Sequence, residues 1–575
     1  MTTSEVRARP RARWLLPTEP DPAVVERLQQ ELHLPKAICR LLALRGYAAP
    51  EEAKTYLRPR LDQLHEPNCL TDLDRAVERI TRALRDVETI LVHGDYDVDG
   101  MCSTTIMVRT IAALGGNAIA FIPRRLEDGY DLTDAGVRAA KAAGAKLVIT
   151  CDCGTSAHAP IAALQSAGID VIVTDHHLPG GPLPPAFAVL NPKRPGCTSR
   201  DKDLAAVGVA FKLALALTRA LGGNENLVYG MLDLVALATI ADIAPLRGEN
   251  RVFVRYGLRL LNEANRPGIR AMIRAAGLDK KSLTSGRVGF VLAPRLNAAG
   301  RLGSALRGVE LLMAPNDQIA NPIARELEEL NARRQEIDRA TLDEARELVL
   351  QMDLPSTFGI VLAQQGWHAG VIGIVASRIV EEFGRPTVLI ALDGADGKGS
   401  GRSISMFDLH GGLAECRDLL IRFGGHRAAA GVTIAVDRVA DFAARFNAVA
   451  ASHLTEDDLI PELRVDLEIG LDQVDDELET LLRHVEPCGI GNPSPLFVAR
   501  GVTLAQPPRV VGKDGLKLLL NDNGRELVAL GWGMGPRARE LDAGMTIDVA
   551  FRLERDDWNG ESRLQARLAD FRPSL

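Results

Sequence analysis

From about residue 88 the chain alternates short apolar runs with amphipathic stretches of helical period: TILVHG, then MCSTTIMVRTIAALGG, then AIAFIP, then DAGVRAAKAAGA. The pattern continues as KLVITCDCG, HAPIAALQSAG and IDVIVTDHH. Strands alternating with helices predict a parallel sheet with its crossover helices packed on it, which makes this an α/β region. Polar residues follow the apolar runs: Asp95, Asp97 and Asp99 after TILV, Asp152 after KLVIT, and Asp175, His176 and His177 after IDVIVT. Ligands of an open α/β sheet bind outside the carboxyl ends of its strands, so these clusters are expected to converge on one edge. A further carboxylate, Asp242, follows the helical run LDLVALATIA.

The same pattern divides the rest of the chain. Residues 1–20, where Arg7, Arg9, Arg11 and Arg13 alternate with small residues and proline, read as an unfolded arm. A helical segment is expected over 21–75, and the main α/β lobe over 76–315. Residues 316–353 read as one connecting helix, interrupted at most near Pro322; at 1.5 Å per residue its length of about 50 Å suits a strut. A smaller α/β lobe follows over 354–455, with GIVLAQ and PTVLIAL as strands and AGVIGIVASRIVEEFG as a helix. From about 456 to 575 short alternating strands and turns, such as LKLLLNDNGRELVALGW, predict a small β-barrel.

Composition narrows the class. The 575 residues are too many for a single core, and 46% hydrophobic with 25% charged is the balance of a globular protein. No apolar run is long enough to span a bilayer and the N-terminus lacks a secretory core, so a cytoplasmic location with no membrane partner is expected, with a monomer as the simplest state. The 8 cysteines form no disulfide framework, and Cys151 and Cys153 have no CxxC partner to make a zinc site. A net charge of −7 excludes a chain basic throughout but leaves room for a local groove. The stretch holding Arg266, Arg270, Arg274, Lys280, Lys281 and Arg287 is one candidate, although taken alone a solvated face is the plainer reading.

Three aspartates at alternate positions repel one another by roughly 4 kcal/mol per pair at about 4 Å and the effective dielectric of a protein surface. They need open solvent or cations. An EF-hand is excluded, because counting from Asp95 the twelfth position is Ile106 rather than Glu. The collected groups His93, Asp95, Asp97, Asp99, Asp152, His176, His177 and Asp242 mix hard carboxylates with imidazole, a donor set for Mn²⁺, Mg²⁺ or Fe²⁺. Two such cations about 3.5–4 Å apart can hold both oxygens of a phosphoryl displacement.

GDYDVDG, the CDCG containing Asp152, the TDHH ending at His177 and the TIAD ending at Asp242 resemble the successive motifs of the DHH phosphoesterase superfamily. PRLNAAGRLG, LNARRQEID, GWHAGVIGIVASRI, GSGRS, GGHRAAAG and EPCGIGNPSPLF are similar to its single-stranded-DNA-specific exonuclease branch, over nearly the whole chain beyond the arm. The resemblance implies a DHH lobe, a DHH-associated lobe and an OB-like barrel. It also implies two divalent cations, Mn²⁺ or Mg²⁺, and hydrolysis of single-stranded DNA from a 5′ end. Asp99, Asp152, His176 and Asp242 would hold one cation; Asp97 and Asp152, helped by Asp95 or His93, would hold the other. Asp152 and His177 are the implied catalytic residues, His177 as a phosphate contact or proton donor, with a partner of His176 as the plainer alternative.

The implied 5′-end pocket comprises Ser400 and Arg402 in GSGRS, whose glycines admit close backbone approach to a phosphate, with His426, Arg295, Arg301 and Arg125; surface ion pairs are the alternative for each. GYD at 129–131 stands where relatives read GYG. A helicase and a single-strand-binding protein are the implied accompanying partners. A phosphatase of small phosphorylated nucleotides and a non-catalytic replication scaffold are the rival readings. In the barrel, Trp532 and Trp558 are candidates for base stacking or for its core.

Overall fold

The computed structural model describes residues 11–556 and 562–574. It separates into two units: Leu61–Leu459 with Gly489–Gly491, and the residues up to Arg60 with Ile460–Cys488 and Asn492–Leu575.

The first of these is built on a five-stranded parallel sheet of β1 (Thr89–Gly94), β2 (Asn117–Phe121), β3 (Leu147–Cys151), β4 (Asp170–Thr174) and β5 (Ala188–Leu190), in the order β2-β1-β3-β4-β5. Successive side chains point to opposite faces, and both faces are covered. Ile90, Val92, Ile149 and Ile172 join the core around the Val98–Ala113 helix, while Leu91, Val148, Val171 and Val173 pack on Val137, Ala140, Ile161 and Leu164. Burial on both sides is why these runs are continuously apolar. The register sets Gly94 beside Cys151 and Cys151 beside Thr174, so the next residues of three adjacent strands, Asp95, Asp152 and Asp175, leave the sheet at one level.

The connecting helix, Asp317–Leu350, is continuous through Pro322 and is capped by Asn316, whose side chain accepts from the Ile319 N–H at 3.1 Å. Ala320, Ile323, Ala324 and Leu327 bury in the main lobe, whereas Leu342, Ala345 and Val349 bury against Ile372 and Val375 of the smaller one. That smaller lobe is a five-stranded sheet of β6 (Ile360–Gln365), β7 (Thr387–Asp393), β8 (Asp396–Arg402), β9 (Arg422–Gly425) and β10 (Ala429–Ala435), ordered β9-β10-β8-β7-β6. Here one expectation is corrected. The glycines of GKGSGRS form a central strand, with Ser400 opposite both Leu389 and Gly431, so ladders on either side engage its backbone groups and none is offered to a phosphate. The glycines serve packing instead: a Cβ on Gly399 would lie 2.4 Å from a Val432 methyl.

The second unit is a barrel. Its strands Phe497–Leu504, Thr546–Asp556, Arg563–Pro573, Arg525–Gly531 and Gly515–Asp522 pair in that order, and the ring closes where Thr503 and Leu504 meet Asn521 and Leu520. The helices Pro22–Leu32, Lys36–Leu44 and Pro50–Leu57 share its core, Leu28, Leu41 and Tyr56 packing with Phe497, Leu518 and Phe571. Two boundaries therefore differ from expectation. The 21–75 segment is split, because Leu73, Ala76 and Ile80 of the Leu73–Arg85 helix bury in the main lobe. The supposed arm contains a strand, Arg13–Leu15, parallel to Glu462–Arg464; Trp14 is buried, donates from Nε1 to Asp570 Oδ2 at 2.8 Å and lies under the Arg572 guanidinium. Arg7 and Arg9 fall outside the described residues, as does Trp558. Trp532 is exposed on the barrel surface rather than part of its core. Among the described residues no helix is long and apolar enough to cross a membrane.

Candidate metal centre

Each acidic side chain is delivered by an element whose sequence dictates its place. Asp95 leaves β1 with its N–H on the Cys151 carbonyl at 3.2 Å. Asp97 is the N-cap of the Val98–Ala113 helix, accepting the Gly100 N–H at 3.0 Å. Asp99, the second residue of that helix, accepts the N–H groups of Ala206 and Val207 at 2.8 Å each. Asp152 turns back from β3 with φ of +65°, a left-handed conformation that a short polar residue tolerates. His176 follows β4 and sets Nε2 3.3 Å from Asp152 Oδ1 and 3.6 Å from Asp242 Oδ2, while Asp242 ends the Leu232–Ala241 helix.

Ligand atoms of Asp95, Asp97 and Asp152 lie within 4.8 Å of one another, as do those of Asp99, His176 and Asp242, and those of Asp152, His176 and His177. Asp152 thus stands between two positions. Burial, then neighbouring carboxylates, raises Asp95, Asp152 and Asp242 well above the usual range and Asp99 to about 7. Burial and the charge of His177 push His176 down to about 3. Asp95 Oδ1, Asp152 Oδ1 and His176 Nε2 are buried with no hydrogen-bond partner. So many acids gathered with unsatisfied atoms turned inward fit a pair of hard cations. Proton linkage follows: cations bind the ionised form, so with Asp99 at about 7 the apparent Mn²⁺ affinity is expected to rise from pH 6 to pH 8, with proton release, as titration calorimetry in two buffers would detect.

His93 is not in these groups. Its Nδ1 lies 3.6 Å from Cys153 Sγ, its ring is against Phe121, and its Nε2 is buried without a partner. Of the two side chains expected to help Asp97 and Asp152, the geometry brings Asp95 and leaves His93 beneath. Burial raises the Cys153 thiol well above its ordinary value, which agrees with a site that is not of the thiolate type.

His177 reaches toward the cleft from the same loop. Asp175 accepts its Nδ1 at 2.8 Å and the backbone N–H groups of His176 and His177 at 2.7 and 3.1 Å. Burial opposes both charges, but this pairing wins: Asp175 is held well below the usual carboxylate range and His177 is raised to about 9. The Tyr130 hydroxyl is 3.2 Å from His177 Nε2. Asp131 explains the GYD sequence. It occupies φ of +76°, where glycine is the ordinary choice, and its carboxylate accepts the N–H groups of Leu132 and Gly154 at 2.7 Å each, tying this loop to the turn that carries Asp152. Sequence reasoning places Asp175 in the cluster after IDVIVT without giving it a role and assigns none to Tyr130 or Asp131; the departure from GYG at Asp131 is the signal for that loop.

The expected phosphate-binding residues divide. Arg125 stacks over Tyr96 at 4.8 Å, and Arg301, half-buried, donates to the Gly370 carbonyl at 2.8 Å. Burial lowers Arg301 to about 10, with Arg125, Arg334 and Arg402 adding repulsion, so these guanidinium groups form one basic cluster. Arg402 donates to Ser400 Oγ at 3.0 Å. His426 lines a cavity of about 370 Å³ with His176, His177, Lys193 and Asp242. Arg295, by contrast, is engaged by Glu328 of the connecting helix and the Val291 carbonyl. Arg295→Ala is therefore expected to cost about 2 kcal/mol in denaturant unfolding and to leave 5′-phosphate recognition unchanged. The basic stretch at 266–287 is likewise engaged within the chain in part: Arg266 pairs with Asp233 in a buried contact, and Arg270 and Arg274 pair with Asp317 at the surface.

Residues 89–239 match the DHH family, N-terminal domain, residues 356–452 the DHHA1 domain, and residues 465–570 the RecJ OB domain. The single-stranded-DNA-specific exonuclease RecJ of Bacillus subtilis is 37% identical over 561 residues, covering 97% of this chain and 70% of that protein. The chain belongs to the RecJ family. RecJ of Escherichia coli is 36% identical over 565 residues, 94% of this chain and 96% of that protein. The crystal structure of RecJ in complex with Mn²⁺ from Thermus thermophilus superposes with a TM-score of 0.85 at 34% identity, covering 99% of this chain and 80% of that one. The order of domains in this RecJ-family chain is thus a parallel-sheet DHH lobe, a DHHA1 lobe and a C-terminal OB domain.

Proposed function

We propose that the chain is an exonuclease that degrades single-stranded DNA from its 5′ end and releases 5′-mononucleotides. The observation that carries this reading is the convergence of Asp95, Asp97, Asp99, Asp152, His176 and Asp242 beside a cluster of arginines. Asp95, Asp97 and Asp152 would hold one divalent cation, Mn²⁺ or Mg²⁺, and Asp99, Asp152, His176 and Asp242 the other. Such a pair supplies an activated water and charge stabilisation at the phosphorus.

The chain's own residues do the rest. Arg402, Ser400, Arg301 and Arg125 receive the phosphate at the 5′ terminus; a guanidinium fork matches its oxygens in bidentate fashion. His426, which lines the same cavity as Lys193, contacts the strand near the scissile bond. His177, fixed through Nδ1 by Asp175, turns Nε2 toward the leaving side and holds the proton that the departing oxygen needs. Tyr130 orients that ring. The OB domain holds the incoming strand mainly through its backbone, with the exposed Trp532 as a stacking platform. Small-substrate phosphatase activity is disfavoured because the OB domain would have no role. A repair and recombination role in the cytoplasm, alongside a helicase and a single-strand-binding protein, fits this substrate.

The test is a time course with Mn²⁺ on single strands labelled at either end. A 5′ label should appear as mononucleotide from the earliest times, and a 3′ label only after the strand has shortened. Equal attack on blunt duplex, or release of the 3′ label first, would refute the reading. In the same assay Arg402→Ala should reduce the preference for a 5′-phosphorylated over a 5′-hydroxyl strand by about tenfold, through the loss of one charge-assisted contact.

A further inference from the structure

Away from the catalytic carboxylates, His65, Asp201 and Glu249 place one imidazole nitrogen and two carboxylate oxygens within 4.8 Å of one another. We propose that these three residues form a second, structural metal site for a zinc-class divalent ion. His65 Nδ1 is 3.4 Å from Glu249 Oε2 and 3.8 Å from Asp201 Oδ2. Donors at about 2.1 Å around a tetrahedral ion stand about 3.4 Å apart, so the spacing is that of ligands around a shared centre.

Hydrogen bonding supplies the second observation. Glu249 is 1% exposed, and its Oε1 is already used: Lys212 Nζ lies 2.7 Å away and the His65 N–H donates at 2.9 Å. Its Oε2 is buried with no hydrogen-bond partner, and His65 Nδ1 likewise has none. A protonated ring nitrogen and a carboxylate oxygen this close would ordinarily bond to each other; here neither atom has a hydrogen-bond partner, and the two stand at ligand spacing instead. Asp201 is held beside them, its Oδ2 accepting the Glu249 N–H at 2.8 Å. Lys212, itself buried, donates to the His65 carbonyl at 2.8 Å and fixes the rotamer of Glu249 from its other oxygen, as outer partners of metal ligands do. The carboxylates and the lysine leave one net negative charge for the ion to neutralise.

The position gives the site a purpose. His65 lies between the short turns Leu61–Gln63 and Pro67–Cys69, and Glu249 begins the Gly248–Glu263 helix. The ion would staple the entry of the chain into the catalytic unit to that helix. Asp203, two residues beyond Asp201, lines the catalytic cavity, and its carbonyl accepts from Asn250 at 2.7 Å, so the staple also steadies one wall of the substrate cavity.

The experiment uses the full chain carrying Asp152→Asn and Asp242→Asn, which remove a ligand from each of the three groupings at the catalytic centre. After metal stripping it is titrated with Zn²⁺ by calorimetry, and bound metal is counted by mass spectrometry. One equivalent is expected, with a rise in melting temperature. Adding Glu249→Gln, which keeps the shape and an acceptor for Lys212, or His65→Gln at the more exposed ligand, should each weaken that binding at least about 100-fold, the upper end of what even an outer partner costs. No Zn²⁺ uptake by the background chain, or uptake unchanged in both ligand variants, overturns the proposal. Because neither readout is DNA hydrolysis, the result is independent of the proposed nuclease activity.

Discussion

Asp152→Asn is expected to lower single-strand hydrolysis by at least about 10⁴-fold, the scale seen when a group central to catalysis is removed. The reason is position. Asp152 is 1% exposed, shares ligand spacing with Asp95 and Asp97 on one side and with His176 and His177 on the other, and has one oxygen with no protein partner. The amide keeps the volume, and the left-handed turn tolerates Asn as readily as Asp. The fold should therefore survive, and strand binding measured by fluorescence anisotropy should change by less than about threefold if it rests on phosphate contacts elsewhere. Single-turnover cleavage is the measurement. Activity within tenfold of wild type would remove Asp152 from the centre of the reaction and with it the assignment of both cation positions.

Gly100→Ala should be nearly as damaging, by a different route. A Cβ at this position would lie 2.4 Å from both the backbone nitrogen and oxygen of Asp95, and backbone cannot swing aside as a long side chain can. The same glycine N–H is the group that Asp97 caps. Methyl insertion must displace the Asp95–Asp99 turn, costing about 3 kcal/mol of stability, the upper part of the range for overpacking, and separating the carboxylates that follow β1 from Asp152. Denaturant unfolding should show the destabilisation, and the gain in melting temperature expected of wild type with Mn²⁺ should be lost. A variant that retained both would mean the turn is more pliable than its packing indicates.

The main lobe was legible because parallel strands buried on both faces leave uninterrupted apolar runs, and because His93 to Asp99 and Asp175 to His177 sit directly where those runs stop. Periodicity could not supply register. That Asp95, Asp152 and Asp175 emerge level follows from Gly94 pairing with Cys151 and Cys151 with Thr174, a tertiary fact. It is also why His93 and Asp95 were inseparable as helpers of Asp97: alternation puts them on the same side of an extended chain, and only the turn after β1 parts them. GSGRS misled for a related reason. Glycine marks both loops and places where neighbours press on the backbone, and at Gly399 the neighbour is Val432. Arg295 and Arg301 share one helix and one motif, yet Glu328, 33 residues along the chain, claims the first, while the second reaches across to Gly370. Nothing local distinguishes them.

The shared core of the barrel and the helices before residue 60 has a bearing on how the polypeptide is made. Leu28, Leu41 and Tyr56 are translated first, but the surfaces that cover them, Phe497, Leu518 and Phe571, are translated last. During elongation those greasy helices must wait roughly 400 residues, tens of seconds at about 5–20 residues per second, for their partners to leave the ribosome. Chaperone capture is expected at that stage, and a minimal nuclease fragment is best cut at both ends, from residue 61 to 459, because trimming the barrel alone would strand the helices that precede it.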